Sequence, residues 1–204
     1  MDESSFKIIG ITGGSGSGKS LVACRLANFG AKTVDADEVA REVTAKGHAC
    51  LAEIIENFGT QYLNESGELD RRQLGKMVFE NPDRLPLLNQ ITHKYIIRRI
   101  EGIIKEMEKR EDDSTAVVVD APLLFESGME GGCDVVIAVL AEEELRIKRI
   151  ADRDGISEEE AVKRIMAQPD DSFYSKRADF IIYNNGNEQE LFMQVDMIAG
   201  LLFG

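Results

Sequence analysis

The sequence predicts an α/β fold in which a five-stranded parallel sheet is flanked by helices and carries a helical insertion and a helical lid. Three observations predict it. Short β-rich runs alternate with amphipathic helical stretches along the 204 residues. The links after the second strand are too long for hairpins, which favours crossover connections and a sheet covered on both faces. A glycine-rich turn joins the first strand directly to a helix.

The strands are expected at Lys7 to Thr12, Ala31 to Asp35, Thr115 to Asp120, Cys133 to Leu140 and Asp179 to Tyr183. Val22, Leu26 and Phe29 recur at helical spacing until Gly30 stops them. Between the second and third strands, Leu51, Ile54, Ile55 and Phe58 form one apolar stripe. Leu85, Leu88, Thr92, Tyr95, Arg99 and Ile103 trace another. Asn81-Pro82 reads as a helix start, and Glu111-Asp112-Asp113-Ser114 as a solvated loop. Ser157-Glu158-Glu159-Glu160 matches a capping box for a helix running toward Gln168, with Pro169 beyond its end. Asn184-Asn185-Gly186 turns into a last helix, Glu188 to Leu202. The expected organisation is one domain: a core of residues 1–37, 115–145 and 178–204, a helical region 38–114, and a lid 146–177.

Composition excludes several classes. Twenty-four basic against 37 acidic side chains leave a formal charge of −13. Such a surface does not neutralise a phosphate backbone, so no nucleic-acid partner is expected. The apolar runs Ala116 to Val119 and Val135 to Leu140 are much shorter than the roughly 18 residues a bilayer span needs, so no membrane partner is expected either. Met1 to Ser5 lacks the basic-then-apolar pattern of a secretory signal, and the expected compartment is the cytoplasm. Cys24, Cys50 and Cys133 have neither disulfide nor metal-ligand spacing and read as small core residues. His48 and His93 are likewise too far apart in pattern for a metal pair. No heptad run declares an interface, which leaves a monomer as the default.

The strongest motif is Gly13-Gly14-Ser15-Gly16-Ser17-Gly18-Lys19-Ser20, which fits G-x-x-x-x-G-K-[ST] between a strand and a helix. In such a P-loop, successive backbone N–H groups point at phosphate oxygens and the helix dipole adds positive potential. Lys19 supplies a point charge to the β and γ phosphates of ATP, and Ser20 offers its hydroxyl to Mg²⁺. The loop by itself says nothing about the acceptor.

Ligands collect at the carboxyl ends of strands in such sheets, which draws attention to Asp35 and Asp37. Phosphoryl transfer to a hydroxyl uses a carboxylate to accept its proton and hold it in line, and Asp37 is the candidate. Asp35 is either a second such carboxylate or a helix cap. Arg41, four residues after Asp37, either pairs with it or reaches an acceptor phosphate. Asp120, ending the third strand, is either a Mg²⁺ ligand or a loop cap. Arg146, Arg149 and Arg153 fall on one helical face that could close over a triphosphate, with Arg149 central.

Taken together, these residues resemble the dephospho-coenzyme A kinase family. The resemblance is carried by Ile11-Thr12-Gly13-Gly14, Asp35-Ala36-Asp37-Glu38-Val39-Ala40-Arg41 and Leu69-Asp70-Arg71 with Leu74 and Phe79. It continues through Leu88-Asn89 before His93, Asp120-Ala121-Pro122-Leu123-Leu124-Phe125-Glu126, Arg164-Ile165 with Gln168, and Ala178-Asp179 before Asn184 and Gly186. It implies phosphorylation of a ribose 3′-hydroxyl of dephospho-coenzyme A by ATP with Mg²⁺. Within it, Gly14, Ser15, Gly16, Ser17, Gly18, Lys19, Ser20, Leu21, Arg149 and Asn184 would contact ATP. Asp37, Arg41, His93 and Leu123 would contact the acceptor, Asp37, Lys19 and Arg149 would be catalytic, and Ser20 with Asp120 would hold the metal. Lys94, Tyr183 and the Gln168-Pro169 stretch depart from the family pattern. Two rivals remain: a P-loop nucleoside or nucleotide kinase, and a nucleotide-gated regulatory module. The chain lacks the Asn-Lys-x-Asp stretch expected of a GTPase among the latter.

Overall fold

The computed structural model describes residues 6–109 and 114–204; Met1 to Ser5, and Glu111 to Asp113 of the expected acidic loop, lie outside the described residues. The strands are β1 (Lys7–Thr12), β2 (Ala31–Asp35), β3 (Ala116–Asp120), β4 (Val135–Leu140) and β5 (Phe180–Tyr183). The helices are α1 (Lys19–Ala27), α2 (Ala36–Val43), α3 (Ala49–Phe58), α4 (Arg71–Glu80), α5 (Leu85–Glu108), α6 (Leu124–Ser127), α7 (Glu143–Asp154), α8 (Glu158–Met166), α9 (Asp171–Ser175) and α10 (Glu188–Phe203). The strands form a parallel sheet of order β2-β3-β1-β4-β5.

Two compact units result, Met1–Val34 with Arg110–Gly204, and Asp35–Lys109. In the first, alternate residues of the central strands go to opposite faces. Ile9, Ile11, Ile137 and Val139 pack with Val22 and Leu26 of α1 and with Leu191, Val195 and Ile198 of α10. Ala138 and Leu140 pack on the other side with Tyr174, Phe125 and Phe173. Burial pushes the Tyr174 phenol up to about 12, so it stays neutral in that core. A third cluster, Ile150, Ala161 and Ile165, joins α7 to α8. The capping box that starts α8 is present, with Glu160 N–H donating to Ser157 Oγ and Ser157 N–H to the Glu160 carboxylate.

The second unit is helical, and here the periodicity misleads in detail. Leu51, Ile54 and Phe58 of α3 are buried, whereas Ile55 is only half-buried. On α5 the buried residues are Ile91, Ile100 and Ile104, none of them in the expected stripe, whose Leu88, Thr92, Tyr95, Arg99 and Ile103 are half-buried. The expected stripe contains Tyr95 and Arg99, whose polar ends bond to Glu53 and Glu42. Asn81-Pro82 opens a 3-10 turn, Pro82–Arg84, and α5 starts only at Leu85. Glu53 bonds both Lys94 Nζ, at 2.5 Å, and Tyr95 Oη, at 2.8 Å, and these bonds hold its carboxyl below the usual range.

The cysteines divide. Cys50 is buried and Cys133 partly so, and burial raises their thiols to about 11 and about 12, which keeps them protonated. Cys24 is exposed on α1, contrary to its reading as a core residue, because Val22, Ala23 and Leu26 take the helix face that meets the sheet. Among the described residues no helix is long and apolar enough to cross a membrane.

The burial pattern sets a stability contrast. Ile11→Ala removes a side chain at 0% exposure from the main core and should cost roughly 2–5 kcal/mol. Met197→Ala, at 73% exposure, should stay within about 0.5 kcal/mol. Urea unfolding of both variants checks the pair.

Candidate active site

The site starts with the turn from β1 into α1. β1 is flanked by β3 and β4, so its carboxyl end opens at the middle of the sheet, where Ile11 is level with Asp120 of β3 and Thr12 with Ala138 of β4. Thr12 is fully buried, and its hydroxyl donates to Pro122 O at 3.3 Å, tying the loop's entry to the segment that follows β3.

The carbonyls of the turn are each accounted for. Lys19 Nζ donates to Gly13 O at 2.9 Å and to Gly14 O at 3.4 Å. Arg146 Nε donates to Ser15 O at 2.9 Å, Arg149 to Gly16 O at 3.3 Å, and Asn184 Nδ2 to Ser17 O at 2.8 Å. Gly18 O accepts from the amides of Leu21 and Val22. Of the loop's amides, Ser15 N–H is taken by Gln168 Oε1 at 2.9 Å and Ser17 N–H by Gly14 O at 3.2 Å, which leaves the others for a ligand. A phosphate group fits that arrangement at the start of α1.

Glycine is required where side chains press against the turn. At Gly18, φ is +100° and a Cβ would come within 2.2 Å of Asn184 Nδ2. At Gly14 a Cβ would meet Arg146 at 2.2 Å.

The bracing residues come from α7 and from the end of β5. Arg146 is 5% exposed, donates to Gln168 Oε1 at 3.1 Å and lies 3.6 Å from an Asp171 carboxylate oxygen. Gln168 also takes the Ser15 N–H at 2.9 Å and donates to Ser15 Oγ at 3.1 Å. Arg149 reaches Asn184 O at 3.0 Å as well as the loop. Arg153 is the exception in the expected arginine face. It turns to Asp154, which also takes Arg164, and these cations hold that carboxyl below its usual range.

Of the remaining expected residues in this unit, Ser20 and Leu21 are exposed at the start of α1 and Asp120 is half-buried at the end of β3. Leu123 precedes α6 and is 47% exposed. Ser20 and Asp120 both offer oxygen donors, which suits a hard cation such as Mg²⁺ when nucleotide phosphates complete its shell. No group of three or more His, Cys, Asp or Glu side chains that could hold a metal occurs among the described residues.

Asp35, Asp37, Arg41 and His93 belong to the second unit. Asp35 caps α2: one of its oxygens accepts the Asp37 N–H at 2.7 Å and the Glu38 N–H at 3.3 Å. Asp37 is exposed on the first turn of α2, and it makes no ion pair with Arg41 among the described residues. His93 is partly buried on α5, and burial lowers its pKa and favours the neutral imidazole. His48 precedes α3 and lines an open groove of about 580 Å³ with Lys46, Leu51, Ile55 and Leu63. Arg146 and Gln168 are the residues whose place sequence reasoning underweighted. Gln168 and Ser15 are 153 positions apart, and no spacing rule joins them.

Fold and turn define the class: a P-loop kinase. The comparisons narrow it. The model of the dephospho-CoA kinase family matches residues 7–190. A dephospho-CoA kinase of Fusobacterium nucleatum subsp. nucleatum is 40% identical over 192 residues, which cover 94% of this chain and 96% of that protein. One from Corynebacterium jeikeium is 43% identical over 192 residues, covering 94% and 97%. The solved structure of a dephospho-CoA kinase from Campylobacter jejuni superposes with a TM-score of 0.68 at 29% identity, over 95% of each chain. The chain belongs to the dephospho-CoA kinase family.

The brace predicts a local defect. Asn184→Ala removes a buried donor and leaves Ser17 O without it, so unfolding free energy should fall by about 1–3 kcal/mol. Mg-ATP affinity should weaken by about 10-fold, and calorimetric titration beside thermal unfolding reads both.

Proposed function

We propose that this protein transfers the γ-phosphoryl group of ATP to the ribose 3′-hydroxyl of dephospho-coenzyme A, giving coenzyme A and ADP, the last step of coenzyme A biosynthesis. The observation that carries the reading is the extent of the family match. Residues 7–190 include the phosphate loop, the bracing segment and the entire helical unit, so likeness is not confined to the ATP-binding half. A nucleoside kinase would share the loop chemistry, but the family model that spans the helical unit is that of dephospho-CoA kinase.

In this reading the main-chain amides of residues 13–20 hold the β and γ phosphates, and Lys19 leaves its carbonyl partners to follow the γ-phosphoryl group. Arg149 supplies a second cation beside the loop. Asp37 accepts the proton of the 3′-hydroxyl while that oxygen bonds to the γ-phosphorus and the bond to the β-phosphate oxygen breaks. Asp35 is committed to capping α2, which favours Asp37 over its neighbour for this role. Ser20 and Asp120 would hold Mg²⁺, which neutralises phosphate charge when bound. Arg41, His93 and Leu123 are assigned to the acceptor, and Gly14 to Leu21 with Asn184 to the nucleotide.

Purified protein with Mg-ATP should consume ATP rapidly only when dephospho-coenzyme A is present, and nucleosides or nucleoside monophosphates should not replace it. Equal consumption without acceptor points instead to a nucleotide-gated module. Asp37→Asn should lower turnover about 100-fold or more with ATP affinity nearly unchanged. A variant that merely binds ATP more weakly refutes the base.

A further inference from the structure

Helix α10 is apolar on two faces. Its inner face, Leu191, Val195, Ile198 and Ala199, is buried in the main core with the sheet and α1. Its outer face carries Met193, Met197 and Leu201 at 61, 73 and 73% exposure. From Leu191 to Phe203 the only ionised residue is Asp196, in a chain of which 30% of the residues are charged. Arg25 of α1 takes that carboxylate with two bonds, at 2.7 and 2.6 Å. A helix that is hydrophobic all round is ordinarily covered all round.

The face is held firmly as well as bare. The Arg25 guanidinium lies 5.0 Å from the Phe192 ring, and Phe29 stacks on Phe203 at 6.3 Å, so α10 is fastened to α1 as far as its last turn. The solvent side of α1 continues the uncharged surface with Cys24 and Asn28. The other large exposed apolar side chains, Leu21, Phe79, Leu85, Leu123, Met166 and Tyr183, each lie on a different element or turn. Such scatter is normal on a protein surface, whereas three on one ridge mark a contact.

We propose that the outer face of α10 is a dimer interface, covered by the same face of a second copy of this chain. Charge selects that occupant. Two copies with a formal charge of −13 each repel over most of their surface, and they approach closely only where neither carries net charge. The α1–α10 face is such a place, because Arg25 and Asp196 neutralise each other. A lipid surface fits less well: α10 has no lysine or arginine to meet headgroups and opens with Glu188 and Glu190.

The spacing suits self-association. Met193, Met197 and Leu201 are four residues apart, the ridge that interdigitates with an identical ridge when two helices cross at about −50°. A two-fold axis near Met197 brings the two ends of the stripe into mutual contact. Gly200, where a Cβ would meet nothing within 4 Å, leaves a notch beside that ridge. The three side chains offer about 300–400 Å² per copy, and with Cys24, Asn28 and Gly200 the contact reaches about 600 Å², the low end for a specific interface. That area gives a reversible dimer with a dissociation constant on the order of 10 μM, in place of the expected monomer. A stripe of three side chains is too short to show as a heptad run. It lies beside the later turns of α1, so the dimer leaves the phosphate loop uncovered.

Sedimentation velocity on the full chain, from about 1 to 200 μM, tests the interface. Wild type should pass reversibly from monomer to dimer, half-paired near 10 μM, and added salt should tighten the dimer about 3–10-fold by screening the repulsion. Met197→Glu and, separately, Met193→Glu should weaken it at least about 30-fold, while thermal unfolding of the dilute variants matches wild type. Wild type that stays monomeric at 200 μM overturns the proposal, as does a dimer that survives both substitutions or one that salt dissolves. Co-sedimentation with vesicles of phosphatidylcholine and phosphatidylglycerol is run alongside. Wild type that pellets with them while Met197→Glu stays in solution assigns the face to lipid and overturns the dimer.

Discussion

The constraint on which the site depends is the outward tethering of the phosphate loop's carbonyl groups. A run of peptides can point its N–H groups inward only if the C=O groups on the other edge have partners. Here those partners are Lys19 for Gly13 and Gly14, Arg146 for Ser15, Arg149 for Gly16 and Asn184 for Ser17. Three of the donors are cations, so they add positive potential to that of the α1 dipole. An anion at this turn, as proposed, is compatible with a formal charge of −13, because a few fixed donors at short range outweigh a diffuse, screened surface charge.

That arrangement also gives the segment from α7 to α9 a part in shaping the loop. Arg146 is buried between Ser15, Gln168 and Asp171, so it acts as a strut for the loop. Arg149 shares the loop with Asn184, which links the loop's shape to the end of β5. The large core formed by β1, β3, β4, α1 and α10 holds the ends of these strands in register. Packing thereby fixes donors that lie far apart in sequence.

Much of this was legible in the residues, and what was not has a physical cause. β1, the loop and α1 were readable because strand period, glycine run and helix period follow one another without a gap. The α8 start was readable because a capping box is a local bond pattern. The α5 stripe was legible only in part: Leu88, Thr92, Tyr95, Arg99 and Ile103 are half-buried, and the buried Ile91, Ile100 and Ile104 share no single helical face that spacing could reveal. Cys24 fits an apolar setting in sequence, yet it lies on the exposed side of α1. Asp35 and Asp37 could not be told apart by pattern, since either suits a strand end; the bonds from the Asp37 and Glu38 amides make Asp35 the cap of α2. Gln168 and Ser15 meet through tertiary packing alone.

The central claim is that nucleotide affinity resides in the phosphate nest, and a ladder of adenine nucleotides tests it most directly. Calorimetric titration with ATP, ADP and AMP should give comparable tight binding for the first two and binding at least about 100-fold weaker for AMP, a gap of roughly 2.7 kcal/mol. AMP binding as tightly as ATP would locate the affinity in the base and sugar and contradict the account.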